Sequence, residues 1–361
     1  MTGEGLTYND KCIATKAACI MIFRQIMKIL ADIVVTVLCI AVMAVLVVVS
    51  LSGPYTGPPA EPPVQSRTLD DFIPQGTRTD SNIEVNMLDN GVISPMPLER
   101  YIIGVLAAEM PVSFESEALK AQAVAIRTNV LYRMNVKPSA NHPDAHVCTD
   151  FSCCMTYIHD EELREKWGAD YVRYINRIIS AVLDTDGSFM VYRGKPILAV
   201  FHSSSAGKTE SSGSIWPEDL PYLQSVNSPE TAELVPDFVT TVAVPADVFR
   251  STIMHSFPFA EFGDDKKTWI RDVAYNNSGR IHDIIIGGVA VRGTELRAMF
   301  ALRSTAVSVG WNENNVVFTV TGFGHGVGLS QYGAQIMAQQ GAGYQEILRT
   351  YYTGIGMYSP L

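Results

Sequence analysis

One proline divides an otherwise continuous helical pattern in residues 98–134 into two parts. Proline lacks a backbone N–H and pushes the residue before it out of helical geometry. The first helix is therefore expected to end near Glu109, just before Met110 and Pro111. The second is expected to run from Ser116 to Met134, and its alanines allow close packing against a neighbour. Together with strand patterns elsewhere in the chain, this helix pair predicts an α+β fold in which helices pack against mixed sheets.

Glu109 is the only charged residue between Arg100 and Glu115, and it follows a run of apolar residues. A carboxyl group held against apolar walls favours its neutral form, so its pKa rises. A raised carboxyl pKa is typical of a general acid that acts on a glycosidic bond. The sequence leaves a second interpretation open, in which Glu109 ends a helix at a solvated surface.

Lys120 and Arg127 lie seven residues apart on the second predicted helix, which places them on one helical face. Two hydrogen-bond donors on one face can hold a polar polymer. A solvated stripe of charge is the alternative that the sequence leaves open.

The N-terminal part of the chain has the pattern of a membrane anchor. Residues 33–51 are uncharged and mostly apolar, close to the length of about 20 residues that spans a bilayer. Lys and Arg residues precede them, so the positive-inside rule places the remainder outside the cytoplasm. A cleaved signal peptide, the alternative, has a shorter apolar core. We expect a cytoplasmic tail at residues 1–28, a transmembrane helix at 29–52, a Pro-rich linker at 53–81 and an extracytoplasmic domain at 82–361, with a smaller subdomain at about 232–310.

The net charge of −10 argues against nucleic acid as a partner.

A loop rich in histidine and cysteine follows the helix pair. Five residues separate His142 from Cys148, and another five separate Cys148 from Cys154. Imidazole and thiolate groups are zinc ligands, so these three residues are a candidate zinc site. Either His146 or Cys153 is within range as a fourth ligand. The alternative is a disulfide from Cys148 to Cys153 or Cys154, which an oxidising compartment permits.

Three later segments carry candidate ligand-binding side chains. His202 begins a small polar loop after an apolar strand, and Tyr222 offers an aromatic face that suits either sugar stacking or core packing. A glycine-rich loop at residues 322–328 lets the backbone approach a ligand, with His325 and Gln331 as polar tips. A serine nucleophile in the loop after His202 is disfavoured, because that loop lacks a G-x-S-x-G motif. A phosphate-binding role for the glycine-rich loop is also disfavoured, because residues 322–328 lack the sequence motif of a phosphate-binding loop.

Three sequence blocks resemble the stage II sporulation protein D family, which includes the amidase-enhancer proteins. They are LERYIIGVLAAEMP with EALKAQAVAIRT, FHSSSAGKTESS, and GFGHGVGLSQYGAQIMA, and they occur in the order of that family. The resemblance implies a long glycan-binding groove and a lytic transglycosylase that cleaves peptidoglycan strands during engulfment. The substrate would be strands stripped of stem peptides. The expected partners are stage II sporulation protein P, an amidase, and stage II sporulation protein M, in the septal or engulfing membrane of the mother cell.

The same resemblance assigns roles to particular residues. It implies that Glu109 is catalytic, that Lys120, Arg127 and Tyr222 contact glycan, and that structural zinc binds His142, Cys148 and Cys154. Glu109 would protonate the bond between N-acetylmuramic acid and N-acetylglucosamine and then accept the proton of the muramic C6 hydroxyl, which gives a 1,6-anhydro product. His202, His325 and Gln331 remain further candidates for substrate binding. Two alternatives stay open, a zinc-dependent amidase that uses His142 and Cys148, and a non-catalytic glycan-binding module that stimulates an amidase.

Overall fold

The computed structural model describes residues 68–74, 76, 78–150 and 153–360, together with Lys28. The predicted anchor and most of the predicted linker lie outside these described residues. Among the residues that the structure describes, no helix is both long enough and apolar enough to cross a bilayer. The described residues from Thr68 onward belong to one compact unit.

Helices and strands are both present in this unit, in agreement with the predicted α+β class. The helices are α1 (Leu98–Glu109), α2 (Ser116–Asn135), α3 (Asp160–Trp167), α4 (Tyr171–Leu183), α5 (Ser212–Ile215), α6 (Ala246–Ser256), α7 (Gly293–Met299), α8 (Gln331–Gln339) and α9 (Tyr344–Tyr351). The strands are β1 (Glu84–Asp89), β2 (Val92–Pro97), β3 (Val147–Cys148), β4 (Phe189–Tyr192), β5 (Lys195–Pro196), β6 (Phe201–His202), β7 (Val239–Pro245), β8 (Ile270–Tyr275), β9 (Ile281–Ile286), β10 (Val289–Arg292), β11 (Val307–Asn312), β12 (Asn315–Thr321), β13 (Leu329–Ser330) and β14 (Gly356–Tyr358).

The helix pair forms as the proline predicts. Helix α1 ends at Glu109, and Met110 has extended backbone angles, with φ −115° and ψ 138°. Helix α2 is the centre of the larger of two hydrophobic cores, where it contacts α1, α4, α8 and α9. Its small residues Ala118, Ala121 and Ala125 are fully buried, so they let those neighbours pack closely against it.

Five small sheets complete the described part of the chain. The strand orders are β2-β1-β3, β14-β4-β5, β13-β6, β10-β9-β8 and β11-β12-β7. The pairs β1–β3 and β6–β13 are parallel, and the other neighbouring strands are antiparallel. The last two sheets, with α6 and α7, surround a second hydrophobic core built from residues 244–320. This second core overlaps the segment in which a smaller subdomain is expected.

Two helix boundaries differ from the sequence pattern, which predicts one helix over residues 161–184 and another from Gln335. In the structure, residues 161–184 form two helices, α3 and α4, instead of one. Gly168 separates them, because it takes a positive φ of 50° after α3 and starts a short 3₁₀ turn. Helix α8 begins four residues earlier than predicted, at Gln331. The Ser330 hydroxyl accepts a hydrogen bond from the Gly333 N–H and so caps that helix.

Arg127 is a core residue, which corrects the expectation that it contacts glycan. Its side chain has 0% exposure and is paired with Asp80, which is also buried, with Nε and Nη2 each 2.7 Å from Asp80 Oδ2. Nη1 donates to the carbonyl of Ser188 over 3.0 Å. The guanidinium therefore joins α2 to the turn before β1 and to the loop before β4. A side chain with no exposed surface cannot reach a polymer in solution.

Removal of Arg127 should strongly destabilise the protein. Asp80 Oδ1 already lacks a hydrogen-bond partner in the described part of the chain, so loss of Arg127 leaves a buried carboxylate uncompensated. We expect Arg127→Met to lower the free energy of unfolding by about 3–5 kcal/mol in urea titrations of the full chain. Arg173→Met is the control, because its ion pair with Asp170 is exposed and should matter little. Equal unfolding midpoints for the two variants would contradict a structural role for Arg127.

Candidate functional site

A cleft of about 610 Å³ lies where elements of the two hydrophobic cores meet. Its lining comes from the ends of α1 and α2, residues 153–156, β6, the glycine-rich loop, α7 and the start of α8. Five of the residues predicted from sequence line it, namely Glu109, Cys154, His202, His325 and Gln331. A second cavity of about 580 Å³ lies beside α6 and contains none of them. The first cleft is therefore the candidate site.

Glu109 is half-buried at the end of α1. The Thr156 N–H donates to Glu109 Oε1 over 2.7 Å, and the Gln331 side-chain amide donates to the Glu109 backbone carbonyl over 3.2 Å. Burial raises the pKa of the Glu109 carboxyl, and the hydrogen bonds from Thr156 oppose that rise. The arrangement holds Oε1 in place on an acid that binds its proton more tightly than an ordinary glutamate does.

No other Asp or Glu is among the described residues that line the cleft. An ordinary inverting or retaining glycosidase needs a pair of carboxyl groups that flank the bond. The described lining of this cleft supplies one carboxyl group.

Two histidines form a neutral wall of the cleft. The Nδ1–H of His202 faces the carbonyl of Val327 at 3.2 Å, and the Ser205 hydroxyl lies 2.8 Å from Nε2. The Val327 N–H donates to His325 Nδ1 over 3.0 Å. Burial is the main cause that lowers the pKa of His202 well below its usual value and that of His325 to about 4. Both rings are therefore uncharged near neutral pH, and the Trp216 ring lies 5.3 Å from that of His325.

Lys120 and Tyr222 do not line this cleft, which corrects their expected role as glycan contacts there. Lys120 Nζ is 3.0 Å from carboxylate oxygens of both Glu117 and Asp184. Tyr222 is buried in the larger core, and its hydroxyl accepts a hydrogen bond from the Leu198 N–H over 3.2 Å. Lys120 is held in ion pairs, and Tyr222 takes the packing role that its sequence context left open.

The histidine and cysteine loop folds into a cluster. One ligand atom from each of His142, Cys148, Cys153 and Cys154 lies within 4.8 Å of the others. The described cysteines are free of disulfides. His142 Nδ1 is 2.9 Å from the Ala145 carbonyl, which fixes the Nδ1–H tautomer and turns Nε2 toward Cys154 Sγ at 3.3 Å. His146 Nδ1 instead accepts from the backbone of Asn86. The structure thus brings Cys153, and not His146, to the three residues singled out in the sequence.

Sequence reasoning missed several residues of the cleft. Arg133 lies one turn after Asn129, which also lines the cleft, so the helical spacing on α2 carried a usable signal. Thr156 and Arg297 also line the cleft, and no local pattern marked either of them. Both come from segments that reach the site only through tertiary packing.

Fold and cleft together define an α+β protein built around one half-buried carboxyl beside a histidine and cysteine cluster. The family model described as SpoIID, Stage II sporulation protein, matches residues 89–192, which include that carboxyl and that cluster. Stage II sporulation protein D of Bacillus amyloliquefaciens is 35% identical over 275 residues, covering 76% of this chain and 78% of that protein. Its counterpart in Bacillus subtilis (strain 168) is 34% identical over 276 residues, with the same coverage of 76% and 78%.

The chain therefore belongs to the stage II sporulation protein D family, and the resemblance seen in its sequence blocks is confirmed. A protein of Bacillus subtilis (strain 168) named amidase enhancer is also similar. It is 28% identical over 303 residues, covering 71% of this chain and 40% of that protein.

Proposed function

We propose that this chain is a lytic transglycosylase that cleaves peptidoglycan strands between N-acetylmuramic acid and N-acetylglucosamine during sporulation. The observation that carries the proposal is Glu109, a carboxyl with a raised pKa in a cleft whose described lining holds no second acid. The names of the relatives support the setting, since they refer to sporulation and to enhancement of an amidase.

In the proposed mechanism Glu109 acts twice. Protonated Glu109 gives its proton to the glycosidic oxygen, and the bond to the muramic C1 breaks. The carboxylate that results, with Thr156 N–H still on Oε1, then takes the proton of the muramic C6 hydroxyl as that oxygen bonds to C1. The carboxyl ends the cycle protonated, and no water is consumed. A second carboxylate, which a hydrolase needs to activate or replace water, is unnecessary.

The proposed setting of this reaction is the outer face of a membrane. Residues 29–52 would anchor the chain and residues 53–81 would hold the catalytic domain away from the bilayer. The substrate would be strands from which stage II sporulation protein P has removed stem peptides, with stage II sporulation protein M as a membrane scaffold. The uncharged apolar run at residues 33–51 supports the anchor.

We also propose that the cluster of His142, Cys148, Cys153 and Cys154 holds a structural zinc ion. The donor set fits, because a tetrahedral zinc with Zn–S bonds of about 2.3 Å separates its sulfurs by about 3.8 Å, and the four ligand atoms lie within 4.8 Å of one another. The ion would hold residues 153 and 154 in place, and Thr156 follows two residues later to donate to Glu109. The alternative of a catalytic zinc amidase is disfavoured, because four protein ligands leave no position for a reactive water.

Glu109→Gln should remove the proton donor and leave the fold intact. We expect the release of anhydro products from bare glycan strands to fall by about 10²–10⁴-fold, with an unchanged melting temperature. Glu165→Gln, the same change at an exposed position on α3, should keep full activity. Mass spectrometry of the digest measures the product and also separates the rivals, since an amidase frees peptide and leaves the glycan whole. Near-normal cleavage by Glu109→Gln would rule out Glu109 as the proton donor. Binding of strands without cleavage by the unsubstituted chain would favour the alternative of a non-catalytic glycan-binding module.

Activity should decline as pH rises, because the first step needs the protonated form of Glu109. Since burial raises the pKa of this carboxyl, the decline in kcat/KM should lie above the ordinary glutamate value of about 4.3. Below that limb the acid is protonated and the rate is at its plateau. Initial rates on bare strands across a pH series test this expectation. A limb at or below the ordinary value would contradict a buried acid.

Zinc should copurify with the full chain at about one ion per chain, and His142→Gln should lose it and lower the melting temperature. His282→Gln is the matched control, because His282 is an exposed residue outside the cluster. Elemental analysis and thermal unfolding with and without chelator measure both effects. A chain that is metal-free and indifferent to chelator would contradict the zinc site. Loss of activity on chelation with unchanged stability would contradict a structural role.

A further inference from the structure

Arg297 is a cation in the cleft that has no anionic partner among the residues that the structure describes. It lies on α7, in the second core, and lines the same cleft as Glu109. Its Nε donates to the carbonyl of Leu302 over 3.1 Å, which holds the side chain in place. Its terminal nitrogens, Nη1 and Nη2, make no hydrogen bond or ion pair to the described residues. Burial lowers the pKa of Arg297, so its charge is poorly solvated as the side chain stands. A half-buried guanidinium fork with free donors is suited to bind an anion.

The charge around Arg297 also favours an anionic ligand. The cationic side chains among the described lining residues are Arg133 and Arg297, and the proposed mechanism starts with Glu109 neutral. The wall formed by His202 and His325 is uncharged near neutral pH. Two cysteines of the proposed zinc cluster also line the cleft, so the positive potential is local to the two arginines. A guanidinium group in such a place attracts a negatively charged group of a ligand.

The substrate of the proposed function offers one such group. In a strand that carries stem peptides, the lactyl carboxyl of N-acetylmuramic acid is tied up in an amide and has no charge. Once an amidase has removed the peptide, that carboxyl is free and ionised, and it is the only ionised group in the repeating disaccharide. Its two oxygens match the planar fork of a guanidinium group, which binds carboxylates in a bidentate manner.

We propose that Arg297 binds the free lactyl carboxylate of N-acetylmuramic acid through Nη1 and Nη2 and thereby selects strands that lack stem peptides. This inference rests on the proposed function, because it assumes that the cleft takes glycan. Arg133 is less suited to the role, since its Nε donates to Asn129 and its Nη2 to the carbonyl of Cys153, which leaves one terminal nitrogen. In this proposal the proton donor, Glu109, comes from the larger core, and the residue that selects the substrate, Arg297, comes from the smaller core.

The test compares binding of two forms of the same strand. Glycan strands freed of peptide by an amidase are used as such, or after carbodiimide coupling to methylamine, which converts the lactyl carboxylates to neutral amides. Binding by the full chain is measured in a Glu109→Gln background, so that nothing is cleaved. We expect the amidated strands to bind about 10- to 100-fold more weakly, because a charge-assisted bidentate contact is lost.

Three variants at arginine positions identify the group responsible. Arg297→Gln should bind both strand forms with the weaker affinity. Arg297→Lys keeps the charge without the fork and should recover part of the preference, which a purely structural role would not predict. Arg250→Gln is the matched control, because it removes the same charge from an exposed residue beside the second cavity and should keep the full preference.

The outcomes separate this inference from the proposed function. Equal binding of the two strand forms by the chain with Arg297 intact, or a preference that survives Arg297→Gln, overturns the carboxylate contact. With Glu109 restored, cleavage of both strand forms at the same rate also overturns the contact but supports the transglycosylase. A preference that depends on Arg297 without any cleavage supports the contact and removes the proposed activity.

Discussion

Two hydrogen bonds to Glu109 join three distant parts of the chain, and the geometry of the cleft depends on them. The Thr156 N–H holds the carboxyl from the histidine and cysteine loop, and the Gln331 amide holds the backbone carbonyl from the start of α8. Because the Thr156 N–H binds Oε1, the carboxyl group has a defined orientation. The same burial that raises its pKa favours the protonated form, which the proposed first step requires.

A buried ion pair supports the helix that lies behind this acid. Helix α2 is the centre of the larger core, and Arg127 on that helix reaches Asp80 and the carbonyl of Ser188 from fully buried positions. Burial of two charges is costly, and the guanidinium offsets part of that cost through its further hydrogen bond to the Ser188 carbonyl. This place in the fold explains why a basic residue on a helix beside the cleft has a structural role.

The cleft lies between two cores, and each contributes a different kind of group. The larger core supplies the acid and the cluster of ligand atoms, whereas the smaller supplies Arg297 on α7. Glu109 lies half-buried at the end of α1, where burial raises the pKa of its carboxyl. In the proposed enzyme, proton transfer and selection among strands are therefore assigned to residues of separate packing units.

Local sequence determined the features that depend on backbone chemistry. Pro111 ends α1 at Glu109, and the Gly287–Gly288 turn joins β9 to β10, because proline and glycine restrict or extend the backbone without help from distant residues. The apolar run before Glu109 likewise indicated a raised pKa. Only the tertiary structure decided that Arg127 is a core residue, that Cys153 completes the cluster and that Arg297 and Glu109 line the same cleft. Those outcomes depend on which distant surfaces pack together, and the local pattern around a side chain does not carry that information.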